Sequence, residues 1–410
     1  MGTLVHMALT PGPGPQPADR RARAAVAALF LTNGALFANL VPRYPEIKSA
    51  LELDNTVYGL AVAAFPAGAI IAGLGAGFLV RKLGSAQAAV AGTILTGLGV
   101  LAAGVAPSFG LLVAALLLGG AMDAVTDVAQ NAHGLRVQRR YGRSIINGFH
   151  AVWSIGAVLG GSMGAAAIAL GLPLGVHLSI STAIFATVAL VALRFRLPGK
   201  DGDADDATSS TSDGRLRGAA VSPRTVLIVT ALVLVAIGGT LAEDAGSSWA
   251  TLYLSGDLGA PAALAATGFV ALVGTQFVGR MLGDRLVDRF GQRTVARGGG
   301  VIIALGMGLA LAFPTVPGTI LGFAAVGLGS ATLVPAAMHE ADELPGLRAG
   351  TGLTVVSWLM RLGFLASPPL VGMVADAVGL RYGLLVVPIA GLLVVLLAGV
   401  LQNRRATPAR

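Results

Sequence analysis

Asp123 and Asp127 stand four residues apart in a long apolar stretch, a spacing that puts two carboxylates on one face of a helix, and Asn131 continues that face. Two like charges on an apolar face oppose each other's ionisation, and a carboxylate that exchanges its proton near neutral pH is what a proton carrier needs. The alternative for Asp127 is a hydrated position near its helix end, paired with Arg136 or Arg140. Arg361 lies deep inside another apolar stretch, which at about 1.5 Å per helical residue is near the middle of a bilayer. A guanidinium there binds an anionic or hydroxyl-rich solute, or pairs with the acids of the 123–131 face; otherwise it serves a structural interhelix ion pair. His150 and Trp153 are one helical turn apart, suited to relaying a proton and to stacking on a sugar ring or aromatic ligand. Interhelix packing of Trp153 and a carbonyl partner for His150 would account for both without any ligand, and Trp358 carries the same ambiguity. Glu243 and Asp244, followed by Gly246 and Trp249, fit a broken helix near an external mouth, where acids recruit a proton or cation, help close an outer gate or simply face water. Arg280 and Asp284 form a further i, i+4 pair, read as a structural or gating ion pair rather than as solute contacts.

The elements that carry these residues must be membrane helices. Of the 410 residues 55% are hydrophobic and 12% charged, where an average soluble domain has roughly a quarter charged. A span takes about 20 apolar residues. Twelve such runs occur, at 24–42, 56–80, 86–106, 109–133, 144–170, 176–193, 225–254, 260–283, 294–313, 317–339, 351–374 and 380–402. Gly is abundant at 58 residues and Cys is absent, which suits close helix packing in lipid and leaves no disulfide or thiolate site. The Pro/Gly-rich residues 1–19 have no apolar core, so they read as a disordered tail and not as a cleavable signal.

The net charge of +8 is a topology signal rather than a sign of nucleic acid. With the amino terminus inside, and with Arg297 and Arg381 at span ends counted with their flanking loops, 23 of the 28 Lys and Arg fall in cytoplasmic segments, two (Arg280 and Arg361) within spans, and three (Arg43, Lys48, Arg381) outside. That asymmetry follows the positive-inside rule and places both termini in the cytoplasm of a multi-pass cell-membrane protein. The polar stretch 194–224, rich in Asp, Ser, Thr and Gly, reads as a cytoplasmic linker between six-span halves at 20–193 and 225–402, with a short tail at 403–410. The halves repeat: Trp153 and Trp358 fall at matching places, as do Gly77–Gly84 and Asp284–Gly291. The expected fold is all-α, with twelve transmembrane helices in two pseudo-symmetric bundles and a solute site between them.

Gly77, Lys82 and Gly84 in the loop after the second span, and Asp288, Arg289 and Gly291 after the eighth, resemble the cytoplasmic signature of the major facilitator superfamily. Arg81 stands where that signature has an acid, and Asp284 replaces the first Gly of the second copy. Asp127-Val128-Ala129-Gln130-Asn131 and Gly148 to Ser154 further resemble the fucose-permease-like branch. The resemblance implies proton-coupled uptake with Asp127 as the proton-coupling residue, although the first span, which holds Asn33 and Asn39, lacks the branch's partner acid.

No phosphate loop, zinc spacing or nucleophile elbow occurs in the sequence, so neither an ATP-driven pump nor an enzyme is expected, and no cofactor or metal is called for. The expected function is secondary active transport of a small polar solute, sugar-like or an organic anion, by alternating access with protons, in a monomer. Asp127 and Asp123 are the proton-coupling candidates, and Arg361, Asn33, Asn131, His150, Trp153 and Trp358 the solute-binding ones. Glu243 and Asp244 are the outer-gate candidates. Proton-driven efflux of drugs or metabolites is the alternative, and a non-transporting receptor or scaffold on the same fold is the other class.

Overall fold

A computed structural model describes residues 16–142, 144–197, 222–344, 347 and 351–401. Twelve of its helices are long and apolar enough to cross a bilayer. They are α1 (Pro17–Ala50), α2 (Asn55–Leu83), α3 (Ser85–Gly104), α4 (Phe109–Tyr141), α5 (Ile146–Ala169), α6 (Leu174–Arg194), α7 (Pro223–Asp257), α8 (Ala262–Phe290), α9 (Gln292–Ala312), α10 (Val316–Asp342), α11 (Thr351–Val378) and α12 (Leu380–Val400). Most of the expected tails and linker, at 1–15, 198–221 and 402–410, lies outside the described residues.

The helix starts and stops follow local chemistry. α1 begins at Pro17, inside the stretch read as a disordered tail, because Pro is tolerated in a first turn and the Asp19 carboxylate accepts from the Gln16 backbone N–H at 3.0 Å. Asp54 caps α2 by accepting from the Val57 N–H at 2.7 Å, and Ser222 caps α7 by accepting from the Thr225 N–H at 3.1 Å. α4 and α8 run past their expected ends to Tyr141 and Phe290, since charge ends an apolar run but not a helix. The two signature copies are therefore largely helical. Their turns are confined to Gly84 and Gly291, whose φ values of 86° and 80° demand glycine.

Three internal breaks shape the second half, one of them at Leu384–Leu385 of α12. α10 is interrupted at Ala331–Thr332 and α11 at Met360. At Met360 the carbonyl accepts from the Thr240 hydroxyl of α7 at 3.0 Å and from the Gly363 N–H at 2.9 Å, a tightened turn that resets the helix just before Arg361. The break expected near Gly246 in α7 does not occur. The helix is regular from Pro223 to Leu252 and loosens into a π turn only at Tyr253–Asp257. Gly246 serves instead to admit Leu272 of α8 and Phe323 of α10.

The halves have matching packing. α1 lies against α5 and α6, α2 against α4, and α3 against α4 and α6; in the second half α7 lies against α11 and α12, α8 against α10, and α9 against α10 and α12. The most extensive contacts between the halves are α2 with α11 and α5 with α8, and the Val41–Ala50 end of α1 also meets α7 and α8. Gly156, Gly160 and Gly164 of α5 pack inside one half, where an added Cβ would meet α1 at Leu31, at Ala35, and at Pro42 and Asn39 respectively. Lipid provides no hydrophobic drive between helices, so close backbone approach of this kind supplies the packing energy. A Cβ at Gly160 would meet the Ala35 carbonyl. Gly160→Val is thus expected to lower the melting temperature of detergent-solubilised protein by several degrees, from an overpacking cost of about 1–3 kcal/mol. Gly256→Val, at a position with open space around it, should leave melting near wild type; equal losses would remove the packing argument.

Candidate functional site

A cavity of about 1390 Å³ lies between the two halves. Gly73 and Leu74 of α2, Asn147 at the start of α5, Asp284 and Val287 of α8, Gln292 at the start of α9 and His339 of α10 line its mouth. It therefore opens at the end carrying the Gly84 and Gly291 turns.

The opposite end is sealed. Tyr44 of α1, Tyr58 of α2 and Trp249 of α7 are each at most 2% exposed. Tyr58 meets Tyr44 edge-on at 5.8 Å and Trp249 at 4.8 Å, and its hydroxyl donates to the Ser248 carbonyl at 2.7 Å. Nearer the surface, the Asp376 carboxylate of α11 accepts from the Asn55 N–H at 3.0 Å, the Thr56 N–H at 2.7 Å and the Thr56 hydroxyl at 2.6 Å. One half thus caps a helix of the other, where the dipole favours an anion. Asp244 sits within this seal beside Ser367, Tyr44 and Tyr58, with its Oδ2 unpartnered, and Glu243 is half-buried and apart from the cavity lining.

At the closed floor of the cavity a hydrogen-bonded chain joins three helices of the first half. Asn33 of α1 donates to Asp123 Oδ1 at 2.6 Å, and its own carbonyl accepts from the Trp153 indole N–H of α5 at 2.9 Å and from Gln130 of α4 at 3.3 Å. Asp127 Oδ1 accepts from Asn131 at 3.0 Å and, more weakly, from Gln130 at 3.5 Å. The i, i+4 spacing does place Asp123 and Asp127 together on the cavity wall. Asn131 is not among the lining residues and bonds to Asp127, while Asn33 lines the cavity but is only 5% exposed, its nitrogen bonded to Asp123 and its oxygen to Trp153 and Gln130. Sequence reasoning missed Gln130, buried at 0% exposure, which connects Asn33 to Asp127. Its place on the Asp127 helix, three residues on, was the available signal.

The facing wall comes from the second half. Arg361, delivered by the Met360 turn, and Trp358, 48% exposed, line the cavity from α11. Arg280 of α8 also lines it, with its guanidinium over the Trp153 ring at 5.8 Å and 3.4 Å from the Ser154 hydroxyl. The ion pair expected between Arg280 and Asp284 does not form; Arg280 turns toward the other half instead. His150 lies across from these groups, edge-on to Phe30 at 5.2 Å. Among the described residues neither Arg280 nor Arg361 forms an ion pair with a carboxylate, although the charges of His150 and Arg361 both reach Asp127.

The family description Major Facilitator Superfamily matches residues 26–285 and 244–410. An uncharacterised transporter of Sinorhizobium fredii is 30% identical over 92% of this chain and 97% of its own length. Among solved structures, the nucleoside transporter NupG superposes with a TM-score of 0.71 at 14% identity, covering 94% of this chain and 98% of that one. The major facilitator transporter FucP in its outward conformation gives 0.56 at 19% identity, covering 93% and 99%. These structural likenesses concern the fold.

Proposed function

We propose, from the premise that the chain belongs to the major facilitator superfamily of membrane transporters, that it moves a small polar solute together with protons across the cell membrane by alternating access. It is a transporter and not an enzyme. The observation that carries the reading is the one-sided cavity, with the Asp123 and Asp127 carboxylates on one half and the Arg280 and Arg361 guanidiniums on the other. A site shared by two halves, open at one end and sealed at the other, is exchanged between the two sides when the halves rock. A carboxylate at that site can carry a proton across with the solute. Asp127 is the proposed proton carrier, with Asp123 its neighbour. Arg361, Arg280, His150, Trp153 and Trp358 are the proposed solute contacts, and Asn33 and Asn131 orient the acids. The mouth is assigned to the cytoplasm and both termini with it, as the basic residues require.

A thermal-shift screen of purified protein against sugars, organic acids and cationic drugs identifies a ligand, because binding stabilises the state that binds. In proteoliposomes that ligand, added outside, is expected to alkalinise the external medium as it enters. External acidification on ligand entry would point to proton-driven exchange. Binding with no ligand movement would leave a receptor on a transporter fold.

A further inference from the structure

We infer that the transported solute carries one carboxylate, which is held between the Arg361 and Arg280 guanidiniums. The inference rests on the proton-coupled reading above and deepens it to a substrate class. The charged groups lining the cavity are the Asp123, Asp127 and Asp284 carboxylates and the Arg280 and Arg361 guanidiniums, with His150 and His339 beside them. Asp284 lies one helical turn from Arg280 toward the mouth, and His339 is exposed beside Glu343 at 3.9 Å.

Charge balance then favours an anionic cargo. A proton taken up by Asp127 adds one positive charge to the cavity relative to the empty carrier, and closing the cavity around an added uncompensated charge is opposed by its lost hydration. A neutral sugar moved with that proton leaves the excess in place. A cation taking the proton's place adds the same charge. A monocarboxylate moved with the proton leaves the cavity with the charge it has in the empty carrier.

The local chemistry agrees. Asp127, already hydrogen-bonded to Asn131, competes through space for Arg361, so protonation of Asp127 frees that guanidinium for the solute. Arg361 presents a planar fork matched to a carboxylate and has no ion-pair partner among the described residues. Arg280 is steadied by the Trp153 face and so is preorganised for an anion. The half-exposed Trp358 ring offers a surface for the remainder of the molecule.

The test is thermal stabilisation of the full chain by matched probes: the hydroxymonocarboxylates gluconate, quinate and lactate; the neutral glucose, inositol and glycerol; and the amines glucosamine and serinol. At least one carboxylate is expected to stabilise, at concentrations where the neutral and amine probes do not. Arg361→Gln should weaken that response about tenfold or more, with Arg361→Lys recovering part of it, since Lys keeps the charge and loses the fork. Arg280→Gln provides a second reading should Arg361→Gln not fold. Stabilisation by neutral or amine probes alone, or by no probe in any class, overturns the inference. Carboxylate binding without proton-linked uptake would leave the substrate class standing and remove the coupling.

Discussion

Asp127→Asn is expected to keep solute binding and solute exchange while losing accumulation driven by a pH gradient. The substitution preserves the size of the side chain and imitates a permanently protonated carboxyl. The Asn131 and Gln130 amides that now donate to Asp127 Oδ1 can donate to an amide oxygen as well, so the floor of the cavity should survive. What disappears is the group that takes a proton on one side and releases it on the other. Symport of one proton per solute supports at most about tenfold accumulation per pH unit, since one unit is worth 1.36 kcal/mol. That ratio should fall to about one in Asp127→Asn proteoliposomes, with counterflow of labelled solute retained, because binding and gradient coupling are separable free energies. Asp123→Asn should have the smaller effect, a shift in the pH of half-maximal uptake, because Asp123 is tied to Asn33 at 2.6 Å while Asp127 faces the cavity and the arginines. Full proton-driven accumulation by Asp127→Asn would sink the assignment. Coupling would then have to be sought at Asp244, which has a buried unpartnered oxygen.

Removing the carboxylate of Asp376 should open the sealed end. Three donors of α2 converge on that group, and every one of these bonds crosses between the halves. Bonds to a charged acceptor contribute about 1.5–3 kcal/mol each when buried, and less at an exposed site such as this. A net loss of roughly 1.4 kcal/mol already moves the open-to-sealed ratio about tenfold. The absence of cysteine from the chain makes the measurement direct. Ser367→Cys, at a position 0% exposed beneath the seal, reports opening through its rate of labelling by a membrane-impermeant maleimide. Asp376→Ala should raise that rate about tenfold. Tyr58→Phe, which loses one hydroxyl bond to Ser248 and keeps its ring contacts, should raise it less. An unchanged rate in Asp376→Ala would mean that the tyrosines and Trp249 close this end without the carboxylate.

Sequence by itself determined the span count, the duplicated architecture and the acid face of α4. The reason is that each is a one-dimensional property: hydrocarbon thickness sets the length of an apolar run, and helical periodicity sets which residues share a face. Asp123 and Asp127 are close neighbours along one helix, so no other element was needed to bring them together. Tertiary structure decided where the charges of the other half point. Arg280 has Asp284 one turn away on its own helix, yet it lies over Trp153, because α5 and α8 meet between the halves and the indole face and Ser154 hydroxyl stand within its reach. Arg361 enters the cavity through a turn at Met360 that a hydroxyl on α7 helps to hold, a contact spanning 120 residues of chain. Asp376 becomes a cap only because α2 of the other half begins beside it. Spacing along a chain says which groups share a helix; which groups face each other across a cavity depends on how two separately packed bundles are docked, and that is a property of their contact surfaces.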